Sequence, residues 1–527
     1  MLRVWVQAFV VLVPAMAASY AGTIDRFSDC LDGLRTQLGV PGMSAAIVHN
    51  GEVLWTRGYG YRDVTRRLPA TPDTQYAIAS ITKCMSGTLL MQLIDEGKIR
   101  LDTPMQQYLP DRFRSDAVTV GHVFSHAVDG PGRRFNYRAD LFRLLTRVLE
   151  QAGGEPLAVM FQRRLFNALG MERTVAGYEH PRAAAVLREA ALSYRRTQGR
   201  WVQTRLSSEY RQFFASFGVV SSVTDLARFA AALDTGALIS AEQQRVMLSP
   251  YRAGDMLLPY GLGWYVSRAF GEPVAWHYGL LFDTFSSLII RLPQQKLTFI
   301  ILANSDQLST QFELHAGNLF RSPVAVCFLR HFVAERIIDD ALPGLPFSNS
   351  ANESIAFARE QRQREPRYLY GLELFSRGIV LRSQGNTAAG EQLMAHALEL
   401  DASLPFWYDR FNIRYFAGVA NDVLNRAARQ IVDNLLERDP DDPRVLFEQG
   451  RMLWTGGRRD EAVQVFEKVL QYGQYAGYAN IRTWSGYYLG THFQSLNRTR
   501  SRRYLQQALD AGGGDRNLRN RIQRMLR

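Results

Sequence analysis

The chain has 527 residues, 46% of them hydrophobic, and carries 62 Lys and Arg against 50 Asp and Glu, a formal charge of +12. That length exceeds what one core fills, so two or more domains are expected, and the apolar content excludes a disordered or fibrous chain. No nucleic-acid motif accompanies the charge, and three cysteines (Cys30, Cys84, Cys327) do not make a disulfide framework. No His/Cys/Asp cluster has metal-ligand spacing, so neither a metal nor a cofactor is expected.

The chain opens MLRVWVQAFVVLVPAMA, with cationic Arg3, an apolar run from Val4 to Val13, and Ala15-Met16-Ala17. This pattern predicts a signal peptide over residues 1–17 and a periplasmic or secreted protein, with an uncleaved anchor as the alternative. No later stretch is apolar enough to span a membrane. Residues 22–340 then mix short β-like runs with helices. SAAIVHN, EVLWTRGYG, SSLIIRLP and LTFIILAN read as strands, and TKCMSGTLLMQLIDEG reads as a helix with Cys84, Thr88, Met91 and Ile94 along one face.

ALPGLPFSNSANES, residues 341–354, gathers Pro, Gly, Ser and Asn and predicts a linker. From 355 to 527 the pattern is helical. Leu398, Leu436, Leu470 and Leu509 close successive helices at separations of 38, 34 and 39 residues, the period of helix-pair solenoids. GRMLWTGGRRDEAVQVFEKVL, with Gly450, Gly457, Ala462 and Phe466, resembles a tetratricopeptide repeat; a plain helical bundle is the alternative. The last thirty residues hold nine arginines against Asp510 and Asp515. They make either a solvated helix face or a surface for an anionic partner.

Chemistry points to AIASITKCMSG. Lysine occurs at only four positions, and one of them, Lys83, follows Ser80 by one helical turn on the same helix face. A serine hydroxyl needs a proton acceptor before it attacks, and a desolvated lysine can become one whereas arginine effectively cannot. The bare tetrad also fits an exposed helix lysine.

The surrounding sequence decides between these. VHNGEVLWTRGYGYRDVTRRLPATPDTQYAIASITKCMSGTLLMQLIDEGKIRLDTPMQQYLPD resembles the serine β-lactamase and penicillin-binding-protein superfamily, in its class C β-lactamase, D-alanyl-D-alanine carboxypeptidase and esterase branch. VFSHAVDGPGRRFNY, RLFNALGMERT, ASFGVVSSVTDLARFAAAL, YGLGWYVS, WHYG and TFSSLIIRLPQQKLTFIILAN follow in the family's order, so the resemblance covers roughly residues 25–335. It implies an α/β fold: an antiparallel sheet flanked by helices, here followed by the all-α repeat region. It also implies Ser80 as nucleophile, Lys83 as its proton partner and Tyr137 as general base or relay. His277-Tyr278-Gly279 matches the edge-strand motif, with the N–H groups of Ser80 and Leu280 as an oxyanion hole. His126 and Asn304 match supporting positions. Cys30 and Cys327 fall on the family's first and last helices, which pack together, so a disulfide between them is expected in an oxidising compartment.

Two features depart from the pattern. The usual Tyr-x-Asn reads Tyr137-Arg138-Ala139, so the amide that holds the lysine is missing, with Asn136 and Asp140 as the nearby substitutes. The segment between SHAVDG and Pro131-Gly132 is also collapsed, predicting a more open or differently shaped rim. The resulting expectation is a serine hydrolase forming an acyl-enzyme from an ester, a D-amino-acid peptide or a β-lactam. Its partners would be that small or peptide substrate and a protein docked on the repeats. The rival is a degenerate hydrolase domain serving as a binding scaffold.

Overall fold

A computed structural model describes residues 4–338, 351–360, 364–472 and 478–527. The chain divides into two compact units, Met1–Phe347 and Ser348–Arg527.

The first unit is built on a seven-stranded antiparallel sheet. Its strands are β1 (Gly42–His49), β2 (Glu52–Asp63), β3 (Leu68–Pro69), β4 (Tyr265–Ala269), β5 (Glu272–Leu281), β6 (Phe285–Leu292) and β7 (Leu297–Ala303). The spatial order is β4-β5-β6-β7-β1-β2-β3, so the last strand in the chain pairs with the first, Met43 opposite Ala303. All four runs expected as strands lie in this sheet. β6 and β7 are buried on both faces, which is why they read as continuous apolar runs without alternation.

Helices cover both faces. On one side α1 (Val4–Leu38) packs against a C-terminal helix, Pro323–Leu329. Phe27, Phe299 and Phe328 interleave there, the Phe27–Phe299 ring centroids lying 5.2 Å apart. Cys30 and Cys327 are joined as a disulfide across this contact, their Cα atoms 6.6 Å apart. On the other side lie α2 (Thr82–Asp95), α3 (Ala139–Gly153) and α4 (Val223–Thr235). The helix expected here forms, and Cys84, Thr88 and Met91 on its expected face are buried, but so is the rest of its first three turns. Every residue from Thr82 to Met91 is buried, so α2 is a central helix enclosed by the core. Gly97, at φ +68°, ends that segment as its position predicts.

Of the expected signal segment, residues 1–3 lie outside the described residues, and α1 begins at Val4. No described helix is long and apolar enough to cross a membrane. Of the expected linker, residues 341–350 lie outside the described residues. Its last four residues are helical instead: they open a helix over Ala351–Arg359, because Ser354 is buried and accepts a 3.0 Å hydrogen bond from Arg377.

The second unit is all-helical among the described residues. Four helix pairs follow one another: α5 (Arg364–Ser383) with α6 (Thr387–Leu400), α7 (Asn412–Phe416) with α8 (Asp422–Arg438), α9 (Pro443–Thr455) with α10 (Arg459–Tyr472), and α11 (Ala479–Phe493) with α12 (Arg498–Asp510). A final helix, α13, spans Arg516–Leu526. Leu398, Leu436, Leu470 and Leu509 each lie near the end of the second helix of a pair. Small residues bring the helices together: a Cβ on Gly378 would meet the Gly390 carbonyl oxygen at 2.8 Å, and one on Gly450 would meet the Phe466 ring at 2.6 Å.

Candidate active site

Ser80 sits in a single 3-10 turn, Ala79–Ile81, immediately before α2, and Lys83 lies in the first turn of α2. Ala79 holds φ +50°, a left-handed backbone that costs an alanine about 1 kcal/mol or more and that marks the turn as held by its surroundings. Ile78 donates its N–H to the Val219 carbonyl, and Ser287 Oγ donates to the Ile78 carbonyl at 2.9 Å. The serine is thus presented between a short strand, Val219–Ser221, and the main sheet.

Lys83 is fully buried. Its Nζ lies 3.0 Å from Ser80 Oγ and donates a 2.8 Å hydrogen bond to the Ser216 carbonyl. The rings of Tyr137 and Phe142 each lie 5.1 Å from Nζ, and no carboxylate is in contact with it among the described residues. Burial therefore lowers its pKa from 10.5 to about 7, so the free amine is populated at neutral pH.

Tyr137 stands over this pair. Its hydroxyl is buried close to those of Ser80 and Tyr278, yet no contact meets hydrogen-bond geometry. Burial raises its pKa more than the hydroxyls of Ser80 and Tyr278 lower it, so the phenol keeps its proton at neutral pH. Its ring packs on His126, centroids 4.4 Å apart, and on Tyr278 at 5.7 Å. His126 accepts a hydrogen bond at Nδ1 from the Arg138 backbone N–H, a supporting role, and burial keeps it neutral.

His277, Tyr278, Gly279 and Leu280 lie on β5 next to the turn that holds Ser80. β4 pairs with β5 only as far as Trp276, so beyond it that edge is free of strand partners and lies against Ala79–Ile81. Gly279 is required there by close approach, since a Cβ would meet Ser287 Oγ at 2.1 Å and the Ile78 carbonyl oxygen at 2.4 Å. His277 is buried with both nitrogens engaged: Nδ1–H donates to the Tyr278 carbonyl at 2.6 Å, and the Tyr260 hydroxyl donates to Nε2 at 2.7 Å. Burial and Lys83 lower its pKa well below the ordinary histidine value. The ring is therefore neutral and bonded within the protein.

The structure thus brings Ser80, Lys83, Tyr137 and the 277–280 segment together. Asn304 ties strand ends as expected, accepting from Gly42 N–H and donating to the Tyr61 carbonyl. The two nearby substitutes for the missing asparagine do not reach the lysine. Asn136 donates to Asp129, and Asp140 is held bidentately by Arg138. The Ser216 carbonyl takes the lysine instead, a partner that sequence reading missed because a backbone group has no residue signature. The collapsed segment forms a tight loop closed by bonds from Gly132 N–H to the Ala127 carbonyl and from Asn136 N–H to the His126 carbonyl. Past Leu281, a groove of about 390 Å³ is lined by Phe282, Tyr210, Val202, Arg205, Arg195 and Asp283. Among the described residues no cluster of His, Cys, Asp or Glu is placed to hold a metal.

The Beta-lactamase family matches residues 27–320. A D-aminopeptidase of Gluconobacter oxydans is 23% identical over 315 residues, covering 53% of this chain and 58% of that protein. The mouse serine beta-lactamase-like protein LACTB, mitochondrial, is 35% identical over 98 residues, 19% of this chain and 18% of its own. The chain thus spans less than two thirds of the length of these curated relatives. In fold, the octameric penicillin-binding protein homologue from Pyrococcus abyssi superposes with a TM-score of 0.51 at 22% identity, over 60% of this chain and 78% of that one. With the family match extending over more than half its length, the chain belongs to the Beta-lactamase family.

Proposed function

We propose that the protein is a serine hydrolase that works through an acyl-enzyme. The observation that carries this reading is the buried, depressed-pKa Lys83 within 3.0 Å of Ser80 Oγ. In the proposed cycle, the Ser80 hydroxyl gives its proton to the neutral Lys83 amine as Oγ attacks a substrate carbonyl. The Ser80 and Leu280 N–H groups face the developing oxyanion, donors that typically contribute on the order of 3 kcal/mol each. Tyr137, protonated at neutral pH, relays the proton from Lys83 to the leaving group. Water, deprotonated by the same pair, then releases the acyl group.

Substrates of the ester, D-amino-acid peptide or β-lactam class suit this chemistry, and the missing Tyr-x-Asn amide favours esters or peptides. We also propose export, supported by the N-terminal sequence pattern and the Cys30–Cys327 bond. The helical unit would dock a protein partner. The test is labelling of wild-type protein and Ser80→Ala with a fluorophosphonate, followed by hydrolysis of a short-chain ester, a D-Ala-D-Ala peptide and a cephalosporin. Labelling that depends on Ser80 is expected. Folded wild type that takes no label would instead point to the scaffold reading, which Ala139 favours.

A further inference from the structure

The Ser216 carbonyl is fixed by a device of its own. Phe214 and Phe217 exchange backbone hydrogen bonds of 2.8 and 3.2 Å, which puts Ala215 and Ser216 at the tip of a tight turn. Both polar groups of Ala215 are then clamped by side chains. Its N–H donates to Thr146 Oγ1 on α3 at 2.9 Å, and its carbonyl accepts from Ser86 Oγ on α2 at 2.7 Å. The next carbonyl, that of Ser216, is left facing Lys83 Nζ at 2.8 Å. A carbonyl can only accept, so it commits one N–H of the neutral amine and leaves the lone pair one of the two remaining positions, from which it can face Ser80.

Resting on the hydrolase reading above, we propose that Thr146 and Ser86 are positioning residues that aim the Lys83 lone pair, replacing the amide absent at Ala139. The test is the inactivation kinetics of a fluorophosphonate on Ser86→Ala, Thr146→Val and Thr146→Ser, with thermal melts alongside. The limiting inactivation rate should fall at least tenfold in the first two while the inhibitor constant stays within about threefold, and Thr146→Ser should recover most of the rate. A lowered melting temperature with an unchanged rate, or Thr146→Ser as slow as Thr146→Val, overturns the clamp. Should Ser86→Ala fail to fold, the Thr146 pair gives the same readout at a half-buried position. Wild type without label defeats the hydrolase reading and the clamp with it, whereas labelled wild type with unaffected variants defeats the clamp alone.

A second, independent observation concerns the far end of the chain. Residues 348–497 carry 17 basic and 18 acidic side chains, whereas residues 498–527 carry nine and two. Arg498, Arg502, Arg503 and all five arginines of the last twelve residues are exposed, and none forms an ion pair with a carboxylate among the described residues, Arg521 donating to the Tyr487 hydroxyl with Asp515 nearby. The apolar face of α13 is already spent, since Leu518 and Ile522 pack on Leu505 and Ala508. A polar cationic face is what remains. Leu496, 68% exposed in the turn before α12, adds one apolar side chain beside Arg498, and none of the exposed side chains on these two helices is an aromatic that would stack on bases.

The geometry points to a peripheral docking surface for an anionic phospholipid bilayer, with guanidinium groups on phosphates rather than helix insertion. Full-length protein should co-sediment with phosphatidylcholine vesicles containing a quarter phosphatidylglycerol, not with pure phosphatidylcholine, and should be released by 0.5 M NaCl. Arg519→Gln with Arg524→Gln should weaken binding about fivefold per arginine removed. Equal binding to neutral vesicles, no binding to anionic ones, an unaffected variant, or a preference for duplex DNA over the anionic vesicles would overturn it.

Discussion

Replacing Lys83 by methionine should change how the stability of the protein depends on pH. Burial lowers the amine from 10.5 to about 7 in the folded chain, whereas the unfolded chain keeps the ordinary value. Between these values the unfolded state holds nearly one more proton, so wild-type unfolding free energy rises with pH by about 1.4 kcal/mol per unit. Below pH 7 the amine is charged in both states, and the burial penalty, about 5 kcal/mol for the full shift, weighs on the fold. Lys83→Met keeps the apolar stem and has no proton to lose. Its advantage over wild type should be greatest below pH 7 and shrink as pH rises. From pH 7.5 to 9.5 the difference between the two proteins should narrow by roughly 2.5 kcal/mol. Urea unfolding of both at the two pH values measures it, groups common to both cancelling in the double difference. Parallel pH dependences would mean that the folded amine stays charged, and a charged amine cannot take the Ser80 proton.

The same titration should appear in the reaction, with the acylation rate rising through an apparent pKa near 7 and levelling above it, measured as fluorophosphonate labelling against pH. Gly279→Ala should slow labelling at least 100-fold, because its Cβ would overlap Ser287 Oγ and the Ile78 carbonyl oxygen and drive β5 off the Ser80 turn; overpacking of this kind costs about 1–3 kcal/mol, read as a lower melting temperature. Arg291→Met should destabilise by about 3–5 kcal/mol in chemical unfolding, since it strands the buried Asp234 carboxylate now paired at 2.5 Å. Cys30→Ser should cost about 2–5 kcal/mol in the same assay, and alkylation with mass spectrometry should find Cys327 newly reactive after unfolding.

The strands were legible because β1, β6 and β7 are short apolar runs bounded by turns, and a pattern of that kind has few other folded solutions. Ser80 and Lys83 were legible because a hydroxyl and an amine one turn apart carry chemistry in their side chains. The residues that hold these groups in place were not. Tyr260, which donates to His277, is one of 23 tyrosines with no spacing to mark it. Ser216 acts through its carbonyl, which every residue has. The helix α2 was legible but its full enclosure was not: a helix enclosed by other elements buries Ser86, Thr88 and Lys83 alongside Leu89 and Leu90, so polarity no longer reports exposure.

That enclosure bears on how a lysine stays neutral without the family's asparagine. A carboxylate beside Nζ would hold the proton on, and none is in contact there among the described residues. The two histidines facing the amine, His126 and His277, are themselves held neutral by burial and by Lys83, so a proton on any one of the three disfavours a proton on the others. Each histidine also has its Nδ1 committed, to the Arg138 N–H in one case and the Tyr278 carbonyl in the other, which limits rotation of either ring toward Nζ. What favours a cation here is modest: the Ser216 carbonyl accepts from Nζ, Cys84 raises the lysine pKa by less than burial lowers it, and the rings of Tyr137 and Phe142 present their faces. Desolvation therefore outweighs every attraction available to an ammonium group here. A carbonyl suffices to orient the resulting amine, and the loss of the amide at Ala139 removes a hydrogen bond without removing the proton acceptor.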